Sequence, residues 1–200
     1  MARGPGVRVI AGSMRGRRLT VPPGEGVRPT KDIVRESMFN ALDARGAIVE
    51  ANVLDLYAGS GALGIEALSR GATRTVLVEQ DRSALGAISA NIDHLGVKGR
   101  TRIVRADVTS FLALPPPPEA PFELVFADPP YATPDDAIRA LIEALRAPGW
   151  LSDDAFVSIE RPARSRSNPS EGFRPCWERT FGDTLVFFVD TNDRVSDSPT

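Results

Sequence analysis

Three glycines follow a short apolar run at a spacing that suits ligand binding. Gly59, Gly61 and Gly64 satisfy the pattern Gly-x-Gly-x-x-Gly, and helical periodicity begins directly after them. Glycines at this spacing let backbone N–H groups at a helix N-terminus approach a ligand closely. The stretch therefore predicts a strand, a tight binding loop and a helix, although such a loop alone does not identify its ligand.

Asp55 distinguishes between the ligands that this loop could bind. It lies inside the strand, four positions before Gly59, where a pyrophosphate-binding loop would normally carry an apolar residue. A carboxylate at this position would repel pyrophosphate and attract a cation, such as the ammonium group of S-adenosylmethionine. The pattern favours a methyl donor over a dinucleotide. The alternative is a solvated aspartate at a strand end, beside a structural turn.

A second motif, formed by Asp128, Pro129, Pro130 and Tyr131, supplies the catalytic candidates. Two consecutive prolines hold the chain extended and lack N–H groups, so their carbonyls point outward. An exocyclic amine could be held by the Asp128 carboxylate and the Pro129 carbonyl while Tyr131 stacks on the base. Two acceptors would orient the nitrogen lone pair toward a methyl donor without an enzyme nucleophile. The alternative is a rigid turn.

Two further acidic residues follow predicted strands. Glu79 comes twenty residues after Gly59 and Asp107 follows the next strand. Twenty residues is about the separation at which a Rossmann-type fold places a carboxylate on ribose hydroxyls. Because open α/β sheets bind ligands outside the carboxyl ends of their strands, we expect these acids to line one crevice with the glycine loop.

Composition indicates a single soluble domain. The chain has 200 residues, of which 42% are apolar and 25% charged. It contains no apolar run of about 18 residues, and its arginine-rich start lacks the apolar core of a secretory signal, so we expect a cytoplasmic protein without membrane contact. Cys176 and His94 each occur once, which excludes an intrachain disulfide and a Cys-x-x-Cys metal pair.

Basic residues concentrate at the N-terminus. Residues 1–31 have a net charge of +6 and residues 32–200 have −8. Such asymmetry indicates a polyanionic partner. Residues 7–10 and 18–21 alternate like two short strands around a turn, so we predict a folded basic β-hairpin rather than a solvated tail. The RNA-binding candidates in this arm are Arg8, Arg15, Arg17 and Arg18.

A helix is predicted after the proline- and glycine-rich residues 22–26. Apolar residues recur at helical spacing between positions 33 and 42, and Thr30 is the candidate N-cap. We expect the helix to lie across the domain. An ordinary amphipathic helix explains the same periodicity. Three cations would remain available to a ligand or to solvent: Arg28, Lys31 and Arg35.

The remaining chain alternates strands and helices, which predicts an α/β fold with a mostly parallel sheet covered on both faces. The two last strands form an antiparallel pair that turns at Gly182. We divide the chain into a basic hairpin over residues 1–26, a methyltransferase domain over residues 27–190 and a frayed polar tail over residues 191–200.

Taken together, five motifs resemble the bacterial ribosomal RNA methyltransferases that modify the exocyclic N2 of one guanine in small-subunit (16S) RNA. The resemblance runs from about residue 8 to residue 190. Met14 stands where the family usually has a tryptophan, so a stacking role is not expected there. The motifs are Arg8–Leu19, Arg28–Glu36, Leu54–Gly64, Val78–Asp81 and Asp128–Tyr131.

This resemblance implies a seven-stranded sheet of order 3-2-1-4-5-7-6 with its last strand antiparallel. It also implies RNA already packaged with ribosomal proteins, as in a 30S particle, as the substrate. S-adenosylmethionine is the implied donor and S-adenosylhomocysteine the product; we expect no metal, and a monomer. Carried over by position, Asp55, Gly59 and Gly61 lie around the methionine part of the donor, Glu79 on the ribose and Asp107 near the adenine. Tyr57, Gln80 and Val108 complete the implied cofactor-binding residues.

Two alternatives remain open. A DNA adenine-N6 methyltransferase could use the same Asp-Pro-Pro-Tyr residues, because they suit any exocyclic amine; the aspartate at the first position, rather than asparagine, leans toward the guanine family by resemblance. An RNA-binding module could instead keep S-adenosylmethionine as a structural or sensing ligand, although the intact Asp128 and Tyr131 disfavour it.

Overall fold

The structure, a computed structural model, describes residues 7–22, 29–164 and 173–194. A single 3₁₀ turn, Lys98–Arg100, stands apart from the regular elements. The regular helices and strands are, in chain order, α1 (Pro29–Asp43), β1 (Asn52–Leu56), α2 (Ala62–Ser69), β2 (Arg74–Glu79), α3 (Arg82–Leu95), β3 (Thr101–Arg105), α4 (Val108–Leu112), β4 (Phe122–Ala127), α5 (Asp135–Leu145), β5 (Leu151–Pro162), β6 (Phe173–Phe181) and β7 (Thr184–Arg194).

The strands form one seven-stranded sheet in the order β3-β2-β1-β4-β5-β7-β6. The first five strands pair in parallel, while β7 is antiparallel to both β5 and β6. This order confirms the predicted fold class. Because the strand order reverses beside β1, the loops after β1, β2 and β4 meet at the carboxyl edge of the sheet, where such folds bind ligands.

Helices cover both faces of the sheet, and the sheet separates the core into two layers. One layer packs α1, α2 and α3 against side chains such as Leu77 and Phe126. The other packs α4 and α5 against the alternate side chains of the same strands, such as Leu54 and Val125. Since successive residues of a strand point to opposite faces, Asp55 must point toward the face that α2 covers.

Most predicted boundaries hold within a few residues, and three differ. Helix α1 begins at Pro29, so Thr30 lies within the first turn instead of capping it; a proline suits this position because its missing N–H needs no partner. Helix α4 was not predicted. Strand β7 continues to Arg194, beyond the predicted start of the tail at residue 191, because its pairing with β6 reaches that residue.

The N-terminal arm, residues 7–22, folds into the predicted hairpin, although its strands reduce to a single bridge between Arg8 and Arg18. Backbone bonds from Val9 N–H to the Arg17 carbonyl (2.9 Å) and from Leu19 N–H to the Val7 carbonyl (2.8 Å) complete it. Val9 and Leu19 are buried in the layer of α1 and α2. The arm is therefore docked on the domain.

Candidate active site

A cavity of about 600 Å³ opens at the carboxyl edge of the sheet. It is lined by the loop after β1, by Glu79 at the end of β2 and by residues 128–131 after β4. Val7 and Val21 of the arm form part of its wall, and α1 contributes Arg35. The structure thus brings the two predicted motifs, separated by more than sixty residues, to one cavity.

Asp55 lies at the bottom of this cavity and is 1% exposed. The N–H of Gly64 donates to its Oδ2 at 2.9 Å. Burial in an apolar layer, reinforced by the nearby carboxylates of Asp128 and Glu79, raises the pKa of Asp55 to about 8 despite that hydrogen bond. A cation entering the cavity would favour the ionised form, so the residue suits an ammonium ligand.

The three glycines have different physical roles. Gly59 and Gly61 adopt left-handed conformations with φ of 55° and 77°, which glycine tolerates without strain. A Cβ on Gly64 would lie 2.6 Å from Leu77 Cδ2 and 2.7 Å from Thr75 Oγ1, so this position is required for packing α2 on β2. A Cβ on Gly61 would face Ile65, Ile88 and Leu77 at 3.5 Å. Of the three, Gly59 lines the cavity, and the predicted ligand contact at Gly61 stays a prediction.

Tyr57, directly before the loop, also has a positive φ of 61°. A non-glycine residue in the left-handed region is strained, and such strain clusters at functional sites. Burial, together with the charge of Asp107, raises the pKa of the Tyr57 phenol. Tyr57 lines the cavity, and its predicted contact with the cofactor stays a prediction.

Glu79 organises the loop as well as facing the cavity. Its Oε2 accepts from the N–H of Gly59, and its Oε1 accepts from the N–H groups of Gln80 and Asp81, all at 2.8 Å. Three backbone donors therefore hold the carboxylate in place at the end of β2. Gln80 lines the same wall. A carboxylate can accept about four hydrogen bonds, so some capacity remains for a ligand hydroxyl.

The structure does not bring Asp107 and Val108 into the cavity lining. The Asp107 side chain caps its own helix, α4, by accepting from the N–H of Ser110 at 3.0 Å. Val108 is 3% exposed and packs into the core beneath. The expectation that Asp107 lines the crevice is therefore wrong, because this strand-end acid satisfies a helix N-terminus. The adenine contact that the resemblance implies for Asp107 stays a prediction.

All four residues of the Asp-Pro-Pro-Tyr motif line the cavity. The Tyr131 ring is 43% exposed, and its hydroxyl lies 2.8 Å from Thr184 Oγ1 at the start of β7. A tethered ring that remains accessible is suited to stacking on a planar group. Asp128 contributes its charge to the environment of Asp55, which places the two carboxyl groups close together.

Arg161, which sequence reasoning missed, holds the segment that follows Tyr131. It is 3% exposed, and its Nη2 donates to the Thr133 carbonyl and to Asp135 Oδ1, both at 2.8 Å. The β5 strand thereby fixes the loop between β4 and α5. An arginine at the end of a strand carries no signal of this role, because its partners are assigned only by the fold.

The basic candidates divide into two groups. Arg8, Arg15, Arg17 and Arg18 are exposed on the arm. Arg35 is 6% exposed and donates through Nη2 to the Arg8 carbonyl and to Asp32, so of the two predicted possibilities, a ligand or solvent, the structure leaves the ligand. Burial lowers the pKa of its guanidinium. Arg35 faces the cavity.

The other two basic candidates lie in or before the first helix. Lys31 is in the first turn of α1, and Arg28 lies outside the described residues.

Glu66 anchors the arm to α2 and was also missed. Its carboxylate is 0% exposed and accepts from the N–H groups of Ile10 (2.7 Å) and Ala11 (2.9 Å) and from Arg70 Nε (2.8 Å). A glutamate among apolar helix residues could have been read as a surface position. Its burial follows from the unpaired backbone N–H groups of the arm, which need an acceptor.

Within the described ranges, no group of three histidine, cysteine, aspartate or glutamate side chains is arranged to hold a metal ion. No helix in that part of the chain is long and apolar enough to cross a membrane.

Comparison with known proteins relates this site to methyltransferases. Residues 7–190 match the family described as "Conserved hypothetical protein 95". The ribosomal RNA small subunit methyltransferase D of Escherichia coli is 42% identical over 154 residues, which cover 77% of this chain and 74% of that protein.

Solved structures agree with the fold. The Escherichia coli protein yhhF superposes with a TM-score of 0.78 at 35% identity, over 93% of this chain and 98% of that one. An RNA methyltransferase from Salinibacter ruber, solved with S-adenosyl-L-homocysteine, has a TM-score of 0.63 at 16% identity, over 85% of this chain and 97% of that one. The second likeness supports the Rossmann-like methyltransferase fold alone.

Proposed function

The chain belongs to the family described as conserved hypothetical protein 95, which includes the small-subunit methyltransferase D relatives. From this premise we propose that it transfers a methyl group from S-adenosylmethionine to the exocyclic N2 amine of a guanine in small-subunit ribosomal RNA. The observation that carries the proposal is that Asp128–Tyr131 and the glycine loop with Asp55 line one cavity.

The cavity residues fit the charge of the donor. When bound, S-adenosylmethionine supplies an activated methyl group on a sulfonium, and its leaving group is neutral. Asp55 is the buried group that would meet the ammonium, and Gly59 leaves room beside it for the methionine part. Glu79, fixed by three backbone donors, is the acceptor for ribose hydroxyls. These residues select a cationic donor over a pyrophosphate.

Asp128 and Tyr131 hold the amine. The Asp128 carboxylate and the Pro129 carbonyl accept the two N–H groups of the exocyclic nitrogen, which leaves its lone pair directed at the donor. Tyr131 stacks on the base, and its hydroxyl bond to Thr184 keeps the ring from rotating away. Alignment of this kind lowers the barrier mainly by positioning the reacting atoms.

The RNA is held by the arm. Arg8, Arg15, Arg17 and Arg18 are exposed on a segment fixed to the domain, and the net charge of the rest of the chain would repel phosphates. We infer that the protein acts in the cytoplasm as a monomer, on a small subunit that is assembled or assembling.

Mapping of methylated guanosine in ribosomal RNA tests this function. RNA from cells with and without the protein is digested and analysed by mass spectrometry, with the nucleotide located by fragment mapping. One N2-methylguanosine in small-subunit RNA should disappear when the protein is removed and return with the wild-type gene. Loss of methyladenine from DNA, with ribosomal RNA unchanged, would favour the adenine-N6 alternative instead.

A further inference from the structure

A second concave surface lies on the other side of α1 from the cavity. It is a groove of about 490 Å³ between α1 and the edge strand β6. Trp177, Arg179 and Phe181 alternate along β6 and line it, so they share one face of the strand. Asn40 and Ser37 of α1 form the opposite wall. Neither the sequence motifs nor the proposed chemistry assigns this groove a role.

We propose that this groove binds one unpaired nucleotide of the RNA strand that leaves the target base. The inference rests on the proposed RNA substrate and adds a second contact surface to it. Bases that are splayed out of a helix stack on aromatic rings and on guanidinium planes, and their edges pair with amide and hydroxyl groups. The groove combines these groups.

The side-chain geometry suits a base. The Arg179 guanidinium lies 5.2 Å from the centroid of the Phe181 ring, and its Nη1 donates to Ser37 Oγ at 3.1 Å. The Trp177 ring stacks on the buried Phe188 ring at 4.4 Å, which fixes its orientation. Two fixed planar groups therefore line the groove, and little conformational entropy would be lost when a base stacks there.

One end of the groove lies near the acceptor site. Phe181 pairs with Thr184 across the β6–β7 turn, and Thr184 Oγ1 is bonded to the Tyr131 hydroxyl at 2.8 Å. One end of the groove thus lies near the residue proposed to stack on the target base. A strand that places its target base on Tyr131 must pass over a neighbouring surface, and the groove is one such surface, reached through Thr184 and Phe181.

The charged side chains of the groove nearly balance each other. Glu36 is the acid in the lining, and Arg179 is the cation. Arg45, whose guanidinium lies 5.9 Å from the Phe188 ring centroid, adds a second cation next to Trp177. The weak net charge indicates that stacking, more than phosphate attraction, provides the binding.

Tryptophan fluorescence reports on this groove directly. The chain has two tryptophans, and Trp150 is 1% exposed in the opposite core layer, beside Phe111 and Phe122. A base that stacks in the groove should quench Trp177. We expect small-subunit ribosomal RNA to quench wild-type fluorescence, and the Trp177→Phe variant to lose the quenching, because its remaining tryptophan is buried away from the groove.

Comparison of Arg179→Ala with the control Arg74→Ala measures how much the groove contributes to RNA binding. Arg74 is exposed at the amino end of β2, the opposite edge of the sheet from the site. Arg179→Ala should raise KM for the RNA about five- to tenfold with donor affinity unchanged, the fold-change expected for one lost stacking contact. Arg74→Ala should match the wild type.

Several outcomes would overturn the proposal. Quenching that persists in Trp177→Phe would come from Trp150, and equal effects of the two arginine variants would indicate a general charge effect. Quenching by ribosomal proteins freed of RNA, but not by RNA, would assign the groove to a protein partner. If the wild type methylates no ribosomal RNA, the proposed function itself is wrong. If the wild type is normally active but RNA does not quench its fluorescence, only the proposed nucleotide binding in the groove is contradicted.

Discussion

Asp55 shows how one buried carboxyl group can couple ligand binding to protonation. It is 1% exposed, and burial raises its pKa to about 8. At neutral pH the group is mostly neutral in the protein without ligand, whereas the proposed ammonium partner needs it ionised. Donor binding at pH 7 should therefore release a proton from Asp55, and donor affinity should increase with pH until about pH 8.

The Asp55→Asn variant should separate stability from binding. In the unfolded chain Asp55 ionises near its ordinary pKa of 3.8, so between that pH and about pH 8 the native state binds more protons than the unfolded state. The free energy of unfolding of the wild type therefore decreases as pH rises through this window. Asparagine removes that dependence and keeps an acceptor for Gly64 N–H.

Urea unfolding at pH 5 and pH 8 checks this expectation. The variant should be more stable than the wild type at pH 8 by on the order of 1 kcal/mol or more, and the difference should shrink at pH 5. Calorimetry should show donor binding weakened at least about tenfold, since the charge is lost. A variant with the wild-type pH dependence would show that Asp55 is not the titrating group.

Loss of the Glu79 carboxylate should weaken donor binding. Glu79→Ala removes the proposed ribose acceptor and also frees the N–H groups of Gly59, Gln80 and Asp81. A charge-assisted pair contributes about 1.5–3 kcal/mol, so affinity should fall roughly ten- to a hundredfold by calorimetry. The donor affinity of Glu79→Gln, which keeps one acceptor, should lie between those of the wild type and Glu79→Ala. Unchanged affinity in both variants would refute the placement of the ribose.

Tyr131 and Thr184 can be tested as a coupled pair. The 2.8 Å bond between their hydroxyls holds the accessible ring, so Tyr131→Phe and Thr184→Val should each lower kcat/KM for RNA about five- to tenfold. The double variant should cost little more than either single change, because both remove the same interaction. Additive losses would indicate that the two residues act independently.

At the scale of elements, the arm joins the helix that follows the glycine loop. Glu66 of α2 binds two backbone N–H groups of the arm, while Val9, Met14 and Leu19 of the arm are buried. The arm therefore contributes to the wall of the cavity through apolar packing, and its four arginines remain outside. Val9, Met14 and Leu19 thus brace the arm, whereas the four arginines are the side chains that we propose for RNA binding.

Replacing Arg8, Arg15, Arg17 and Arg18 together should consequently affect RNA binding without unfolding the protein. If each meets a phosphate, the dependence of log affinity on log salt should flatten by up to about four units, with slightly less per contact for single-stranded RNA. Thermal stability and donor affinity should stay near wild type. An unchanged salt slope in a folded variant would show that the RNA is held elsewhere.

At the scale of the whole molecule, the alternation of strands and helices predicted a mostly parallel sheet and its ligand edge, whereas the number and order of the strands were implied by the family resemblance. Asp55, Glu79 and the Asp-Pro-Pro-Tyr motif could be placed there because each follows or lies within an apolar strand. Arg161 and Glu66 could not, because a charged residue becomes a buried anchor only through partners distant in sequence. Asp107 illustrates the converse, since it follows a strand as expected but caps α4 and does not line the cavity.

The central claim is that Asp128 binds the amine that receives the methyl group and does not bind the methyl donor. Purified wild type, Asp128→Ala and the control Asp136→Ala, whose aspartate is exposed on α5, are compared with small-subunit particles that lack the modification. Formation of N2-methylguanosine and calorimetric donor affinity are measured on the same preparations. Asp128→Ala should lose methyl transfer by about a hundredfold or more while it binds S-adenosylmethionine within about threefold of the wild type. Undiminished transfer, or loss of donor binding in step with transfer, would contradict the account.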